Sequence, residues 1–97
     1  RLPAAGLYFL WGRVQAPTPD DDSFRVRFRQ GATELLPLSD WNTGVHTAWE
    51  WTPLELGPER QRALNLPAGD IILEIRCREN GTKIDQVRLT ADPDHTP

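Results

Sequence analysis

Three segments within residues 48–79 carry the clearest strand and turn patterns: Trp49-Glu50-Trp51, Leu66-Pro67-Ala68-Gly69 and Ile71-Ile72-Leu73-Glu74-Ile75-Arg76-Cys77-Arg78-Glu79. The two tryptophans are two residues apart and share a face of an extended chain. In the third segment, apolar residues alternate with charged ones, which is typical of a half-buried antiparallel strand. The segment between them suits a turn, because proline cannot donate and glycine accepts a positive φ. We therefore predict strand, turn, strand, with the other strands arranged to pair with these two.

The bulk properties describe one small domain. Ninety-seven residues fit a single domain, and the net charge of -3 argues against a nucleic-acid or anionic-membrane partner. The sequence contains no apolar run of 18 residues or more, the length that a membrane-spanning helix needs. Cys77 is the single cysteine, so it forms no internal disulfide, and its place on the apolar face predicts a core residue. We predict a module over residues 1–92 and a tail or linker over 93–97.

Strands are predicted at residues 7–14 and 23–29 before this stretch, at 49–56 and 70–78 within it, and at 83–90 after it. The first has apolar residues on both faces, which indicates a central strand, and the second alternates Phe24, Val26 and Phe28 with three arginines. Residues 32–38 fit a short strand or one helical turn, and residues 39–47 and 57–65 are predicted loops. Asn80-Gly81 predicts a hairpin turn. Ile84 is out of step with Val87 and Leu89, which indicates a bulge near Asp85 or Gln86. The pattern predicts an all-β antiparallel sandwich.

Motifs of catalysis are not recognisable in the sequence. It has two histidines and no His-x-Glu or paired Cys–His spacing that would indicate zinc. It also lacks a Gly-x-Ser-x-Gly elbow and a phosphate-binding loop. No carboxylate lies on an apolar face where burial would raise its pKa for general acid catalysis. We therefore do not expect an enzyme, although the parent protein could be a glycosidase or a lyase.

Four tryptophans are the strongest candidates for ligand contacts. Trp11 lies mid-strand and is predicted to be core. Trp41 lies between Asp40 and Asn42 in a polar segment, so it either stacks on a sugar or partner, or folds back to cap the edge of the sandwich. Trp49 and Trp51 are either packing residues or a platform; core is favoured for Trp51, and Trp49 is left open.

Charged clusters have two interpretations each. Arg25, Arg27 and Arg29 could form a basic stripe with Arg76 and Arg78 that suits acidic polysaccharides, or a solvated face paired with acids, which we favour. The acidic run at residues 20–22 could bind calcium, but it lacks the pattern of an EF-hand loop, so a plain acidic loop is favoured.

Several motifs together resemble the galactose-binding-like and malectin-like β-sandwich modules of bacterial glycosidases, polysaccharide lyases and surface proteins. The motifs are Tyr8-x-Leu-Trp-Gly-Arg-Val-x-Ala-Pro, Asp22-Ser-Phe-x-Val, Trp49-x-Trp, Leu66-Pro-Ala-Gly and Arg78-Glu-x-Gly-Thr-Lys-Ile-Asp-x-Val-x-Leu-Thr-x-Asp. The resemblance implies a jelly-roll that binds carbohydrate through aromatic residues matching Trp41 or Trp49. It also implies a structural calcium at Asp85, although the opening strands that supply the second ligand are not recognisable. Another chain or another part of the protein could supply those strands.

The leading hypothesis is a noncatalytic carbohydrate-binding module of a secreted or cell-surface bacterial protein. Trp41 and Trp49 are the candidates for stacking, and Glu79, Asn80 and Lys83 are the candidate polar partners. The alternative is a structural or protein-interaction sandwich completed by a strand from a partner or from the parent protein. Exposure of Trp41 and Trp49 would favour the sugar hypothesis, and burial of both would favour the structural one.

Overall fold

The computed structural model describes residues 2–18, 23–77, 81–92, 94 and 97, and within them the chain is all-β. Its strands are β1 (Gly6–Ala16), β2 (Ser23–Gln30), β3 (Thr33–Asn42), β4 (His46–Pro53), β5 (Leu64–Leu66), β6 (Ile72–Cys77) and β7 (Lys83–Thr90). They form two antiparallel sheets, compatible with a β-sandwich. The predicted all-β class is therefore confirmed.

Each sheet is built around one central strand. In the first sheet, β1 pairs with β4, β5 and β7, and in the second sheet β2 lies between β3 and β6. The prediction that β4 and β6 organise the chain is wrong, because they pair at the sides of different sheets. β1 and β2 take the central places because their inward residues supply most of the core: Tyr8, Leu10, Val14, Phe24, Val26 and Phe28.

Two predicted connections are also wrong. The predicted loop at residues 39–47 contains the end of β3 and the start of β4. The polar residues of this segment led to the loop prediction, but they also suit a strand. Asp40 points outward from β3 and pairs with Arg25 at 3.3 Å, as a solvent-facing strand residue does. The expected hairpin at Asn80-Gly81 requires β6 to pair with β7, but the described strands pair differently, β6 with β2 and β7 with β1. Asn80 itself lies outside the described residues.

The predicted bulge in β7 is confirmed. Arg13 of β1 lies opposite Gln86, and the next residue, Val14, lies opposite Ile84, so Asp85 is the extra residue. Because of this insertion, Ile84 faces inward together with Leu89, and both pack against the core.

Trp41 is the largest side chain that is fully buried between the sheets. It lies opposite Phe24 in the register of the second sheet, and the ring centroids are 5.9 Å apart. Its indole Nε1 donates a hydrogen bond to the carbonyl oxygen of Pro53 in the first sheet, at 3.2 Å. Its Cη2 atom occupies the space above Gly12, where a Cβ would approach it to 2.5 Å. Trp41 therefore ties the two sheets together.

The outer face of the second sheet carries arginines matched to acids. Arg25, Arg27 and Arg29 pair with Asp40, Glu34 and Glu74 at 3.3, 3.1 and 3.1 Å, and Arg76 also reaches Glu74, at 3.4 Å. The described part of the stripe is thus the ion-paired face favoured from the sequence. The hydrogen bond from Arg29, helped by Arg76, holds the pKa of Glu74 below its ordinary value of 4.5.

Replacing Gly12 with alanine should destabilise the protein by about 1–3 kcal/mol, because the new methyl group overlaps Trp41. Urea unfolding followed by circular dichroism measures the change. Gly6→Ala in the same strand is the matched control, since no atom lies within 4 Å of its added Cβ. Equal stability of the Gly12→Ala variant and wild type would contradict the close packing of Trp41.

Replacing Glu74 with glutamine should make stability less sensitive to acid. A lowered folded-state pKa means that ionised Glu74 stabilises the fold above the ordinary value of 4.5, and that this stabilisation is lost as the pH falls through the folded-state pKa. In melting curves recorded from neutral pH downward, we expect the Glu74→Gln variant to be less stable at neutral pH and to lose less stability on acidification. Curves that stay parallel to those of wild type would contradict the assignment.

Candidate functional site

Three tryptophans lie beside arginines on the outer face of the first sheet. The distances from guanidinium carbon to ring centroid are 5.0 Å for Arg62 with Trp11, 5.4 Å for Arg88 with Trp51, and 5.7 Å for Arg13 with Trp49. Such cation–π contacts stabilise each ring and shield it from water. Exposure rises along the series, because Trp11 is 7% exposed, Trp51 is half-buried and Trp49 is 37% exposed. Trp49 is therefore the tryptophan of this series whose ring a ligand can most readily reach.

Polar side chains of β1 and β7 lie on the same outer face as Trp49, and one of them, Arg13, contacts its ring. The guanidinium of Arg13 contacts the carboxylate Oδ2 of Asp85 at 3.1 Å, so one arginine joins the aromatic ring to an acid. Gln15 lies opposite Lys83 in the β1–β7 register, and its side-chain amide donates to the Thr47 carbonyl at 3.1 Å. We call this group, formed by residues 13, 15, 49, 83 and 85, the Trp49 patch.

Three of the site residues predicted from the sequence come together in this patch. Trp49 lies on β4, whereas Lys83 and Asp85 lie on β7, and β1 runs between them. Glu79 and Asn80 lie outside the described residues. Arg13 and Gln15 were not predicted as site residues, although they alternate with Gly12 and Val14 on a strand that was predicted to be central.

The prediction that Trp41 stacks on a sugar is wrong. Its side chain is 0% exposed, so no ligand can reach either face of the ring. The alternative, that Trp41 folds back into the sandwich, agrees with its position. The stacking prediction rested on the polar neighbours Asp40 and Asn42, which are indeed exposed. Strand alternation, however, places the tryptophan between them on the inward face.

The core prediction is only partly correct for the other two tryptophans. Trp11 is buried, but it lies under Arg62 on the outer face of the sheet rather than between the sheets. Trp51 is half-buried on the same face beside Arg88, so the core interpretation favoured for it is wrong. Trp49 and Trp51 do share a face, as predicted.

Metal binding finds no support among the described residues, which contain no cluster of three or more metal-ligating side chains. Asp85 contacts Arg13 through its Oδ2 atom, and that cation already balances its charge. The calcium role implied for Asp85 therefore stays a prediction. The acidic run at residues 20–22 lies outside the described residues.

His46 belongs to a polar cluster that has the residue types of a catalytic triad. Its Nδ1 lies 3.2 Å from Glu50, and its Nε2 lies 3.3 Å from the buried hydroxyl of Thr52. The same Nε2 lies closer, at 2.8 Å, to the carbonyl oxygen of Thr43, which accepts only a proton donated by the ring. With Nε2 donating there, it cannot take a proton from Thr52. The cluster therefore serves to fasten the β3–β4 turn to β4.

A large polar cleft lies on a different part of the molecule. Its volume is about 970 Å³, and it is lined by residues of β3, of the β3–β4 turn and of the segment after β4, with Asp40, Asn42, Thr43, Glu55 and Arg60 as its main polar members. No aromatic side chain is among its lining residues. The cleft can hydrogen-bond a polar ligand, but it offers no ring on which a sugar could stack.

Comparison with known proteins adds no relative. No protein-family model, curated protein or solved structure was found to match the chain. The resemblance to galactose-binding-like and malectin-like modules thus stays a prediction. A search of the described residues finds no helix that is long and apolar enough to cross a membrane.

Replacing Trp49 with phenylalanine should remove the largest share of the fluorescence that acrylamide quenches, because Trp49 is 37% exposed. Stern–Volmer plots of folded wild type and variant measure this. Trp11→Phe is the control and should leave quenching nearly unchanged, since Trp11 is 7% exposed and its ring lies beneath Arg62. A larger loss of quenching in the control would place the exposed ring elsewhere.

Proposed function

We propose that the chain is a noncatalytic carbohydrate-binding module whose ligand contacts the Trp49 patch. The observation that carries the proposal is the joining of Trp49, Arg13 and Asp85 through one guanidinium, 5.7 Å from the ring centroid and 3.1 Å from the carboxylate. An aromatic face and a fixed pair of hydrogen-bonding groups are the two features that a sugar ring uses, one for its C–H face and one for its hydroxyls.

Each member of the patch has a distinct role in this proposal. The exposed part of Trp49 stacks on the sugar, and Arg13 steadies the indole by its cation–π contact. Asp85 accepts hydrogen bonds from hydroxyls, and Lys83 and Gln15 donate to ring and hydroxyl oxygens. One exposed ring with a few polar partners supports weak binding, with a Kd of about 10 μM to 1 mM, which gains through avidity on a polymer.

The charges favour a neutral glycan over an acidic one. In the patch, Asp85 balances Arg13, so Lys83 is the single further cation among the five members, and one lysine is not the cluster of cations that an acidic polymer needs. On the opposite side of the molecule, the arginines of the second sheet are matched to acids, so they form no free basic stripe within the described residues. A polymer rich in hydroxyls therefore fits better than a polyuronate or a sulfated chain.

The setting of such a module completes the proposal. Modules of this kind are appended to larger secreted or surface proteins and hold them on a polymer, without reacting with it. The Trp49 patch fits that use because it lies on the outer face of a sheet, where a long chain can pass across it.

Affinity electrophoresis should detect binding to soluble neutral polysaccharides, with galactan and a mixed-linkage β-glucan as probes and polygalacturonate as the acidic comparison. We expect retardation by a neutral polymer and at least about tenfold weaker binding for Trp49→Ala, because stacking is lost. Trp49→Tyr should keep much of the affinity, since an aromatic face remains.

The polar cleft supplies the control for this experiment. Arg60→Ala changes the cleft and leaves the Trp49 patch intact, so it should bind as wild type does. Loss of binding in Arg60→Ala with retention in Trp49→Ala would move the site to the cleft. A folded wild type that none of the three polymers retards would count against the sugar hypothesis.

A further inference from the structure

The strands at the sides of the two sheets are protected from pairing with other chains, with one exception. Exposed strand edges invite such pairing, and proteins block them with proline, bulges, lysine or short strands. β3 contains Pro37 and two register shifts, and β4 ends at Pro53 and has a register shift of its own. β5 has three residues, and β7 carries Lys83 and the extra residue Asp85. Each of these four strands therefore has at least one blocking feature.

β6 is the exception. Its six residues, Ile72–Cys77, contain no proline and no lysine. They pair with β2 in an unbroken register, from Ile72 opposite Arg29 to Cys77 opposite Phe24. Within the described ranges β6 pairs with β2 alone, so its other edge presents a regular row of backbone donors and acceptors. The edge is ready to accept another antiparallel strand.

The sequence of β6 is complementary to itself. Glu74 and Arg76 lie on the outer face, on either side of Ile75. In an antiparallel pair of two β6 strands related by a two-fold axis at Ile75, Glu74 of each copy lies opposite Arg76 of the other. Opposite charges facing each other across a strand pair stabilise it, and the symmetry provides this contact twice. The side chain of Arg76 is 58% exposed, so it is free to turn toward the second copy.

Other symmetric registers are less favourable. Residues directly opposite each other in an antiparallel pair must point to the same face, so the axis has to pass through a residue. An axis at Glu74 sets two carboxylates opposite each other, and an axis at Arg76 sets two guanidinium groups opposite each other. An axis at Leu73 places Glu74 opposite Ile72. The register centred on Ile75 alone pairs both charges.

The side of the sandwich next to β6 has apolar surface for a second copy to cover. An apolar cavity of about 120 Å³ opens there, and its lining includes Leu73 of β6 and Val87 of β7. Val87 is 49% exposed although it is apolar. A strand added at β6 continues the inner face of the second sheet past this opening, so its apolar side chains would lie over Val87.

We propose that two copies of the chain associate through β6, in antiparallel register about Ile75, to form one continuous six-stranded sheet. The two-fold symmetry uses the same edge of both copies, so the assembly closes as a dimer and does not extend into fibres. This inference uses the edge of the second sheet and is independent of the sugar-binding proposal, which concerns the outer face of the first sheet.

Sedimentation velocity over a concentration range of about 1 μM to 1 mM tests the proposal. Wild type should pass from monomer to dimer within it. Arg76→Glu places acids opposite acids and should weaken self-association at least about tenfold, and Glu74→Arg should do the same through opposed cations. A mixture of the two variants restores both opposite-charge contacts and should form a heterodimer.

The mixing step separates dimerisation from a folding defect, because two misfolded chains do not rescue each other. Circular dichroism melting confirms that each variant folds, and Lys83→Glu, the same charge change on the bulged edge strand β7, should dimerise as wild type does. A wild type that stays monomeric up to the highest concentration overturns the proposal. The β6 edge would then be available only to a strand whose sequence differs from that of β6. Folded variants that do not associate on mixing overturn the proposed register.

Discussion

The contact between Trp41 and Gly12 sets how closely the two sheets approach each other. The indole comes from β3 of the second sheet, rests on the bare backbone of Gly12 in β1 and hydrogen-bonds Pro53 at the end of β4. A side chain at position 12 would hold the two sheets apart at the centre of the sandwich. Because β1 is thereby fixed against the core, its other face, which carries Trp11 and Arg13, is fixed toward solvent.

The bulge at Asp85 connects this core to the Trp49 patch. Without the extra residue, the alternation of β7 would turn Ile84 outward, away from Trp41. With it, Ile84 packs inside while Asp85 reaches Arg13 on the outer face. One inserted residue therefore serves both the packing of the sandwich and the polar half of the candidate site, so a change there would affect stability and ligand contacts together.

Patterns that depend on neighbouring residues could be predicted from the sequence, and patterns that depend on strand partners could not. The alternation of Phe24, Val26 and Phe28 fixed β2, and the phase break at Ile84 located the bulge. Whether Trp41 is buried or exposed could not be predicted from its sequence neighbours, because Asp40 and Asn42 suit a loop and an exposed strand face equally well. The Trp49 patch could not be predicted as a whole for the same reason. Arg13 contacts Trp49 and Asp85 only because β4 and β7 pair on either side of β1.

The arginines of the two outer faces have different partners: carboxylates on the second sheet and indole rings on the first. On the second sheet, the described arginines pair with carboxylates, which reduces the positive charge that they present to solvent. β6 carries one of these pairs, Glu74 with Arg76, at the edge where we propose that a second copy binds. On the first sheet, arginines lie against indole rings, and these cation–π contacts shield the rings from water. The arginine lies farthest from the ring at Trp49, where Arg13 also forms an ion pair with Asp85. The opening at Trp49 is thus a consequence of one arginine serving two partners.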